Sequence, residues 1–167
     1  RGQSEGEGKG ATFTLELPAL PEAELPRKSA TAATSMSPQR LDGVRVLVVD
    51  DDDDARNMTG QALEAVGAVV VLAASAAEGY RLGVGGNGAT GPQVIVSDIG
   101  MPFEDGYSMM RRVRTTKSGI DLPALAVTAF ASPEDKNRAQ LAGFQAHLSK
   151  PIDPQDLIAA VGILTGR

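Results

Sequence analysis

Five short aliphatic runs, each followed by a segment with helical spacing, constrain the fold of this chain more than any other feature. The first run, Val44 to Val49, is almost continuously apolar, which is typical of a strand covered on both faces. Short strands that alternate with helices predict βαβ units and a parallel sheet with helices on both sides. We therefore expect an α/β fold with a doubly wound, five-stranded parallel sheet. The predicted strands are 44–49, 68–72, 94–97, 124–127 and 145–148.

Capping residues mark the predicted helices. Ser75, with Glu78 three residues later, forms a capping-box pattern, and Ser132 and Asp153 are typical N-caps. Gly67 follows the first helix at a position where a glycine often ends one. The predicted helices are 53–66, 76–82, 106–115, 133–142 and 154–164.

Composition excludes several classes of protein. The chain has 167 residues, is 42% hydrophobic and lacks Cys, so its core is aliphatic and it has neither disulfides nor thiolate metal sites. No apolar run approaches the length of a membrane span, and no signal peptide is visible. We expect a cytoplasmic location without membrane contact by this piece. The chain begins with Arg1 rather than Met, which favours a fragment of a longer protein.

The distribution of charge argues against nucleic-acid binding. The net charge is -5, and acidic and basic residues balance over the first 40 residues. The acidic excess therefore lies in the remainder of the chain, where Asp50 to Asp54 form a continuous run. An acidic domain repels phosphate backbones, so we expect no nucleic-acid partner.

The N-terminal 40 residues differ from the rest of the chain. Alternating apolar and polar residues over 12–17 predict a strand. Residues 18–40 are rich in Pro, Ala, Ser and Thr, which is typical of a flexible linker. We therefore expect three segments, which are 1–17, the linker 18–40 and a domain over 41–167.

Residues able to handle phosphate or metal follow four of the predicted strands. Asp50 and Asp51 follow the first strand, Asp98 the third, Thr128 the fourth and Lys150 the fifth. The carboxyl ends of parallel strands meet at one edge of the sheet, where ligands bind. Clustered carboxylates need a cation, and hard oxygen ligands suit Mg²⁺. Asp98 is the natural nucleophile, while Lys150 and Thr128 supply a charge and a hydrogen bond to a phosphoryl group.

Four segments at these strand ends carry a family resemblance. Their order and spacing are similar to those of the response-regulator receiver family, from about Val44 to Leu164. The resemblance implies a flavodoxin-like (βα)5 fold with strand order 2-1-3-4-5. The segments are 46–51 (VLVVDD), 94–102 (VIVSDIGMP), 126–129 (AVTA) and 149–151 (SKP).

The resemblance implies a role for each site residue. Asp98 accepts a phosphoryl group from a phosphohistidine, and Lys150 pairs with that group. Asp50, Asp51, Asp98 and the backbone carbonyl of Gly100 hold Mg²⁺, with Mn²⁺ as an alternative metal. The Lys150–Pro151 peptide is expected to be cis.

The resemblance also implies a switch between two states of the domain. Thr128 moves toward the phosphate on activation, and His147 occupies the place of the switch aromatic. His147 equally suits a half-exposed position on an edge strand. Gly100 and Phe130 depart from the commoner family pattern, because neither offers a polar side chain to position water, and this predicts slow loss of the phosphoryl group.

A second resemblance concerns residues 4–18. A Gly-rich turn that leads into a strand is similar to the end of a histidine-kinase ATP-binding domain. It implies that 1–17 are a remnant of that domain and that the parent is a hybrid sensor kinase, a protein-histidine kinase. This piece would not bind ATP. The implied partners are a kinase dimerisation domain bearing the phosphohistidine, or a histidine phosphotransfer protein.

Two alternatives stay open at this point. Asp50 and Asp52 form the D-x-D motif of one class of phosphatases, although Asp54 stands where Thr or Val is usual. A receiver-like interaction module that is never phosphorylated would share the fold, but the full set of site residues argues against it.

Overall fold

A computed structural model describes residues 2–4, 10–13, 39–86, 90–129 and 132–167. The chain divides into two compact units, Arg1–Met36 and Ser37–Arg167. In the first unit, β1 (Gly2–Ser4) pairs antiparallel with β2 (Ala11–Phe13). The strand predicted over 12–17 thus begins at Ala11 and has a partner that was not predicted. Residues 14–17 and most of the predicted linker, 18–38, lie outside the described residues.

Strands and helices alternate through the described part of the second unit. The strands are β3 (Arg45–Val49), β4 (Val69–Ala73), β5 (Val94–Asp98), β6 (Ala124–Thr128) and β7 (Ala146–Ser149). The helices are α1 (Asp53–Glu64), α2 (Ala76–Val84), α3 (Gly106–Arg114), α4 (Pro133–Ala142) and α5 (Pro154–Thr165). All strand pairs are parallel, in the spatial order β4-β3-β5-β6-β7. Counted within this unit the order is 2-1-3-4-5, which confirms the predicted doubly wound, flavodoxin-like fold.

The sheet has an apolar cluster on each face. Successive side chains of a strand point to opposite faces, so β3 sends Leu47 and Val49 to one cluster and Val46 and Val48 to the other. Residues of α3 complete the first cluster, and Leu63 of α1 lies in the second. Burial on both faces explains the near-continuous aliphatic run of β3. No helix within the described ranges has the length and apolar character needed to cross a membrane.

Capping contacts fix the helix starts where the sequence predicts them. Ser75, Ser132 and Asp153 are the N-caps of α2, α4 and α5, and each side chain accepts a backbone N–H of the first turn. The Glu78 carboxylate reaches back to the N–H of Ala74, at 3.0 Å, rather than to that of Ser75. The helix α1 ends at Glu64, two residues earlier than predicted.

Candidate functional site

The polar residues that follow the strands meet at one edge of the sheet, as predicted. Asp98 and Thr128 are the last residues of β5 and β6, while Asp50 and Lys150 directly follow β3 and β7. An open cavity of about 380 Å³ lies at this edge, and Asp98, Gly100, Thr128 and Lys150 line it. The parallel register of the sheet therefore assembles groups that lie about 100 residues apart in the chain.

Three carboxylates form the acidic part of the site. Asp50, Asp51 and Asp98 each offer an oxygen, and the three oxygens lie within 4.8 Å of one another. Asp50 and Asp98 are only 4% and 8% exposed, whereas Asp51 is exposed. The N–H of Asp52 donates to the Asp50 carboxylate at 3.0 Å, and Arg56 donates to the Asp50 carbonyl at 2.7 Å. These bonds hold the acidic loop against the end of β3.

Lys150 bridges the two buried carboxylates. Its Nζ lies 2.9 Å from Asp50 Oδ2 and 3.4 Å from Asp98 Oδ1. Burial alone would lower the pKa of Lys150, but the hydrogen bond to Asp50 and the charge of Asp98 outweigh it and raise the pKa. One ammonium faces three carboxylates, so the site has excess negative charge and suits a further cation. The Lys150–Pro151 peptide is cis, as the resemblance predicts.

The Asp98 carboxyl is held by the backbone that follows it. The N–H of Ile99 donates to Asp98 Oδ1 at 2.9 Å. Burial raises the pKa of Asp98 and the charge of Asp50 adds to this, while Lys150 and the N–H groups of Ile99 and Gly100 oppose it. The carboxylate is therefore costly to keep charged without a metal, which is a common property of functional carboxylates.

The turn after β5 packs closely against Asp98. Asp105 caps α3 by accepting the N–H of Ser108 at 2.7 Å. A Cβ on Gly106 would lie 2.4 Å from the Asp98 carbonyl oxygen, so only glycine fits there. In the sequence, this close packing is marked by the pair Asp105-Gly106, in which the first residue caps α3 and the second leaves room for the Asp98 carbonyl.

The far wall of the cavity contains four residues to which the sequence analysis assigns no role at the site. Asp105, Tyr107, Asp135 and Arg138 line it, and they come from the start of α3 and from α4. The guanidinium carbon of Arg138 lies 4.7 Å from the centre of the Tyr107 ring. No sequence motif links two helices that lie about 30 residues apart, so this wall becomes visible only in the fold.

Two residues singled out in the sequence lie away from the cavity or outside the described ranges. His147 is half-buried on the edge strand β7, opposite Ala126, and does not line the cavity. Its switch role stays a prediction. Phe130 lies outside the described residues.

A doubly wound sheet of this order, with an acidic cluster and a lysine at its carboxyl edge, defines a receiver-type signalling domain. The family model of the response regulator receiver domain matches residues 46–162. The chain therefore belongs to the response-regulator receiver family of two-component phosphorelay signalling. This assignment favours neither the phosphatase nor the unphosphorylated module.

Known relatives and solved structures resemble the same part of the chain. An uncharacterised 14.6 kDa protein of Leptolyngbya boryana is 42% identical over 123 residues, which are 74% of this chain and 91% of that protein. Hybrid signal transduction histidine kinase D of Dictyostelium discoideum is 31% identical over 68% of this chain, but only 8% of the kinase is covered.

Among solved structures, a receiver domain of a sensor histidine kinase from Pseudomonas aeruginosa has a TM-score of 0.68 at 26% identity. The match covers 75% of this chain and 99% of that domain, which was crystallised with a magnesium ion coordinated in its active site cleft. A chemotaxis protein of Vibrio cholerae has the same TM-score at 29% identity, with 73% and 98% of the two chains covered.

Proposed function

We propose that Asp98 accepts a phosphoryl group from a phosphohistidine and thereby switches a protein-interaction face of the domain. The contact of Lys150 Nζ with both Asp50 and Asp98, inside a cluster of three carboxylates, is the observation that carries this proposal. This contact supports Asp98 as the nucleophile, Lys150 as a fixed cation beside it, and the three carboxylates as the metal-binding set.

The donor set fits Mg²⁺. Three carboxylate oxygens lie within 4.8 Å of one another, two of them from buried side chains, and hard oxygen ligands of this kind suit Mg²⁺. Asp50, Asp51, Asp98 and the carbonyl of Gly100 would hold the ion, and Mn²⁺ is an acceptable substitute. When bound, the metal would neutralise the acidic cluster and compensate the charge of the phosphoryl oxygens, so that the Asp98 carboxylate can approach phosphorus.

The transfer itself needs little from the protein beyond position and charge. A carboxylate oxygen of Asp98 forms a bond to phosphorus as the nitrogen–phosphorus bond of the phosphohistidine breaks, and the histidine nitrogen keeps the electron pair. Lys150 compensates the charge on the phosphoryl oxygens, since its Nζ already lies 3.4 Å from Asp98. The Thr128 hydroxyl then donates a hydrogen bond to the phosphoryl group, and His147 follows as β7 repacks.

An apolar groove beside the site suits the partner that carries the phosphohistidine. The groove, of about 270 Å³, lies between α1 and the start of α5, and Lys150 is one of the residues that line it. Met58 of α1 is largely exposed there, beside Ile152 and Leu157. A helix that lays apolar side chains into such a groove would bring its phosphohistidine to Asp98. We expect Met58→Lys to slow transfer from a phosphohistidine protein while phosphorylation by acetyl phosphate is unchanged.

The wider context is that of a hybrid histidine kinase. The N-terminal resemblance supports residues 1–17 as a remnant of the ATP-binding domain, 18–40 as a linker and 41–167 as the receiver, in a cytoplasmic part of the parent. The partner is a kinase dimerisation domain or a histidine phosphotransfer protein. The match to a Dictyostelium hybrid kinase supports this context.

Amide NMR spectra with beryllofluoride and Mg²⁺ test the acceptor assignment. Beryllofluoride stands in for a phosphoryl group on a carboxylate, so amides around Asp98, Thr128 and Lys150 should shift in the wild type. Asp98→Asn should abolish the shifts, whereas the matched control Asp54→Asn, which removes an exposed charge nearby, should retain them. A folded wild type without any response would refute the assignment.

A further inference from the structure

We propose that Arg138 is a second phosphoryl-binding cation, which pairs with the phosphoryl oxygens once Asp98 is modified. This inference deepens the proposed function and rests on it. It assigns a role to a residue of α4 that the acceptor chemistry described above does not use.

Arg138 lies at the wall of the cavity that contains the proposed acceptor. Arg138 lines the same cavity as Asp98 and Lys150, and approaches it from the α4 side. Its guanidinium lies over the ring of Tyr107, 4.7 Å from the ring centre, and that ring is only 4% exposed. The buried ring therefore acts as a shelf that keeps the cation at the cavity wall.

The Arg138 guanidinium also differs from most described arginines in its hydrogen bonding. Within the described ranges the Arg138 guanidinium donates no hydrogen bond and forms no ion pair, and its one specific contact is the cation–π stack on Tyr107. A stack of this kind is weaker than a bidentate pair with phosphate, so the guanidinium is available to an anion. By contrast, each described arginine from residue 40 to 114 donates a hydrogen bond or forms an ion pair: Arg40, Arg45, Arg56, Arg81, Arg111, Arg112 and Arg114.

The charge of a phosphoryl group on Asp98 would attract the Arg138 guanidinium. A phosphoryl group adds a charge of roughly −1.5 to −2 at neutral pH. Lys150, the other cation that lines the cavity, also pairs with Asp50 at 2.9 Å, so it compensates only part of this added charge. Asp105 and Asp135 line the same wall, and the charge of Asp105 attracts Arg138 before modification. Pairing with the phosphoryl oxygens would draw the guanidinium off Tyr107 and pull α4 toward β5.

Side-chain NMR and beryllofluoride titration test this role on the full chain with Mg²⁺. The Arg138 Nε–Hε resonance should shift on adding beryllofluoride and not on adding Mg²⁺ alone. Arg138→Gln should weaken beryllofluoride binding by about tenfold, the size typical of a charge-assisted contact to an anion. Arg138→Lys should restore part of the affinity, because it keeps the charge without the planar fork.

Lys136→Gln is the matched control, because Lys136 is an exposed cation on the same helix and does not line the cavity. Its beryllofluoride affinity should equal that of the wild type. An equal loss of beryllofluoride affinity in the Lys136 and Arg138 variants would mean that only the net charge of the domain matters, which would overturn the proposal. An Arg138 resonance that does not shift would overturn it as well. Both results require a normal response at Asp98, so they differ from failure of the acceptor assignment, in which the wild type shows no response.

Discussion

Asp98→Asn should stabilise the domain in the absence of metal, although it removes the proposed acceptor. At an effective dielectric constant of ~20, a carboxylate at the outer limit of 4.8 Å from Asp98 contributes about 3 kcal/mol of repulsion, and Lys150 at 3.4 Å contributes about 5 kcal/mol of attraction. Asp51 is exposed and its charge is screened, so attraction by Lys150 exceeds repulsion by Asp50, and burial of the Asp98 charge, the main cause of its raised pKa, reverses the balance. Because burial decides the sign, we expect the neutral side chain of Asp98→Asn to give a net gain of about 1 kcal/mol in the free energy of unfolding.

The pH dependence of this gain has a definite sign. The pKa of Asp98 is raised in the folded state by burial, with Asp50 adding and Lys150 opposing. Its contribution to stability is therefore fully present below the unfolded pKa of about 3.9 and is lost as pH rises through the folded pKa. The advantage of Asp98→Asn should vanish near pH 4 and be complete at neutral pH.

Thermal unfolding followed by circular dichroism measures both effects. In EDTA at pH 7, Asp98→Asn should raise Tm by about 3–5 °C, while Asp54→Asn should not. Mg²⁺ at ten times its dissociation constant should stabilise the wild type by about 1.4 kcal/mol and the Asp98 variant far less. A lower Tm for Asp98→Asn in EDTA would refute the reasoning, as would equal stabilisation of both proteins by Mg²⁺.

Three further substitutions test local features by urea denaturation. Phe103 is fully exposed and has a left-handed φ of 67°, which glycine adopts without strain. Phe103→Gly should therefore raise the free energy of unfolding by about 0.5–1 kcal/mol. A decrease would mean that the ring packs against the protein in solution. Arg114 donates to backbone carbonyls, including that of Leu122 at 2.7 Å. Arg114→Met should therefore lower the free energy of unfolding by about 2–3 kcal/mol, and an unchanged urea midpoint would contradict this. Gly106→Ala should lower the free energy of unfolding by at least about 2 kcal/mol, because its Cβ would overlap the Asp98 carbonyl. The displaced Asp98 should also bind Mg²⁺ more weakly, so an Mg²⁺ affinity equal to that of the wild type would contradict this prediction.

Local rules account for most of what the sequence predicted correctly. The aliphatic run before Asp50 marks a strand buried on both faces, and β3 has that burial. Ser75, Ser132 and Asp153 cap helices because a short polar side chain satisfies a free N–H of the first turn. Each strand of the parallel sheet is predicted to within one residue at its start, because β-branched runs and flanking turn residues act over a few positions.

Contacts between distant elements could not be predicted in the same way. The Arg138 stack on Tyr107 depends on the distance between α3 and α4, which no local pattern encodes. Likewise, nothing in the sequence marks Gly2–Ser4 as a strand, because its pairing with β2 supplies the signal. The edge strand β4 shows the limit of composition, since Val69 and Val71 are largely exposed despite their apolar character.

The charges at the cavity determine the order in which the metal ion and the phosphoryl group can bind in the proposed reaction. Without metal, three carboxylates face one ammonium, and a phosphoryl group would add further negative charge to a site that already repels it. A bound dication brings the cluster near neutrality, so the metal must be bound before transfer is favourable. After transfer the excess is negative again, and Arg138 is the lining cation that forms no ion pair within the described residues. The attraction between Arg138 and the phosphoryl group therefore draws α4 toward the site only in the phosphorylated state, and a difference of this kind between two states is what a switch requires.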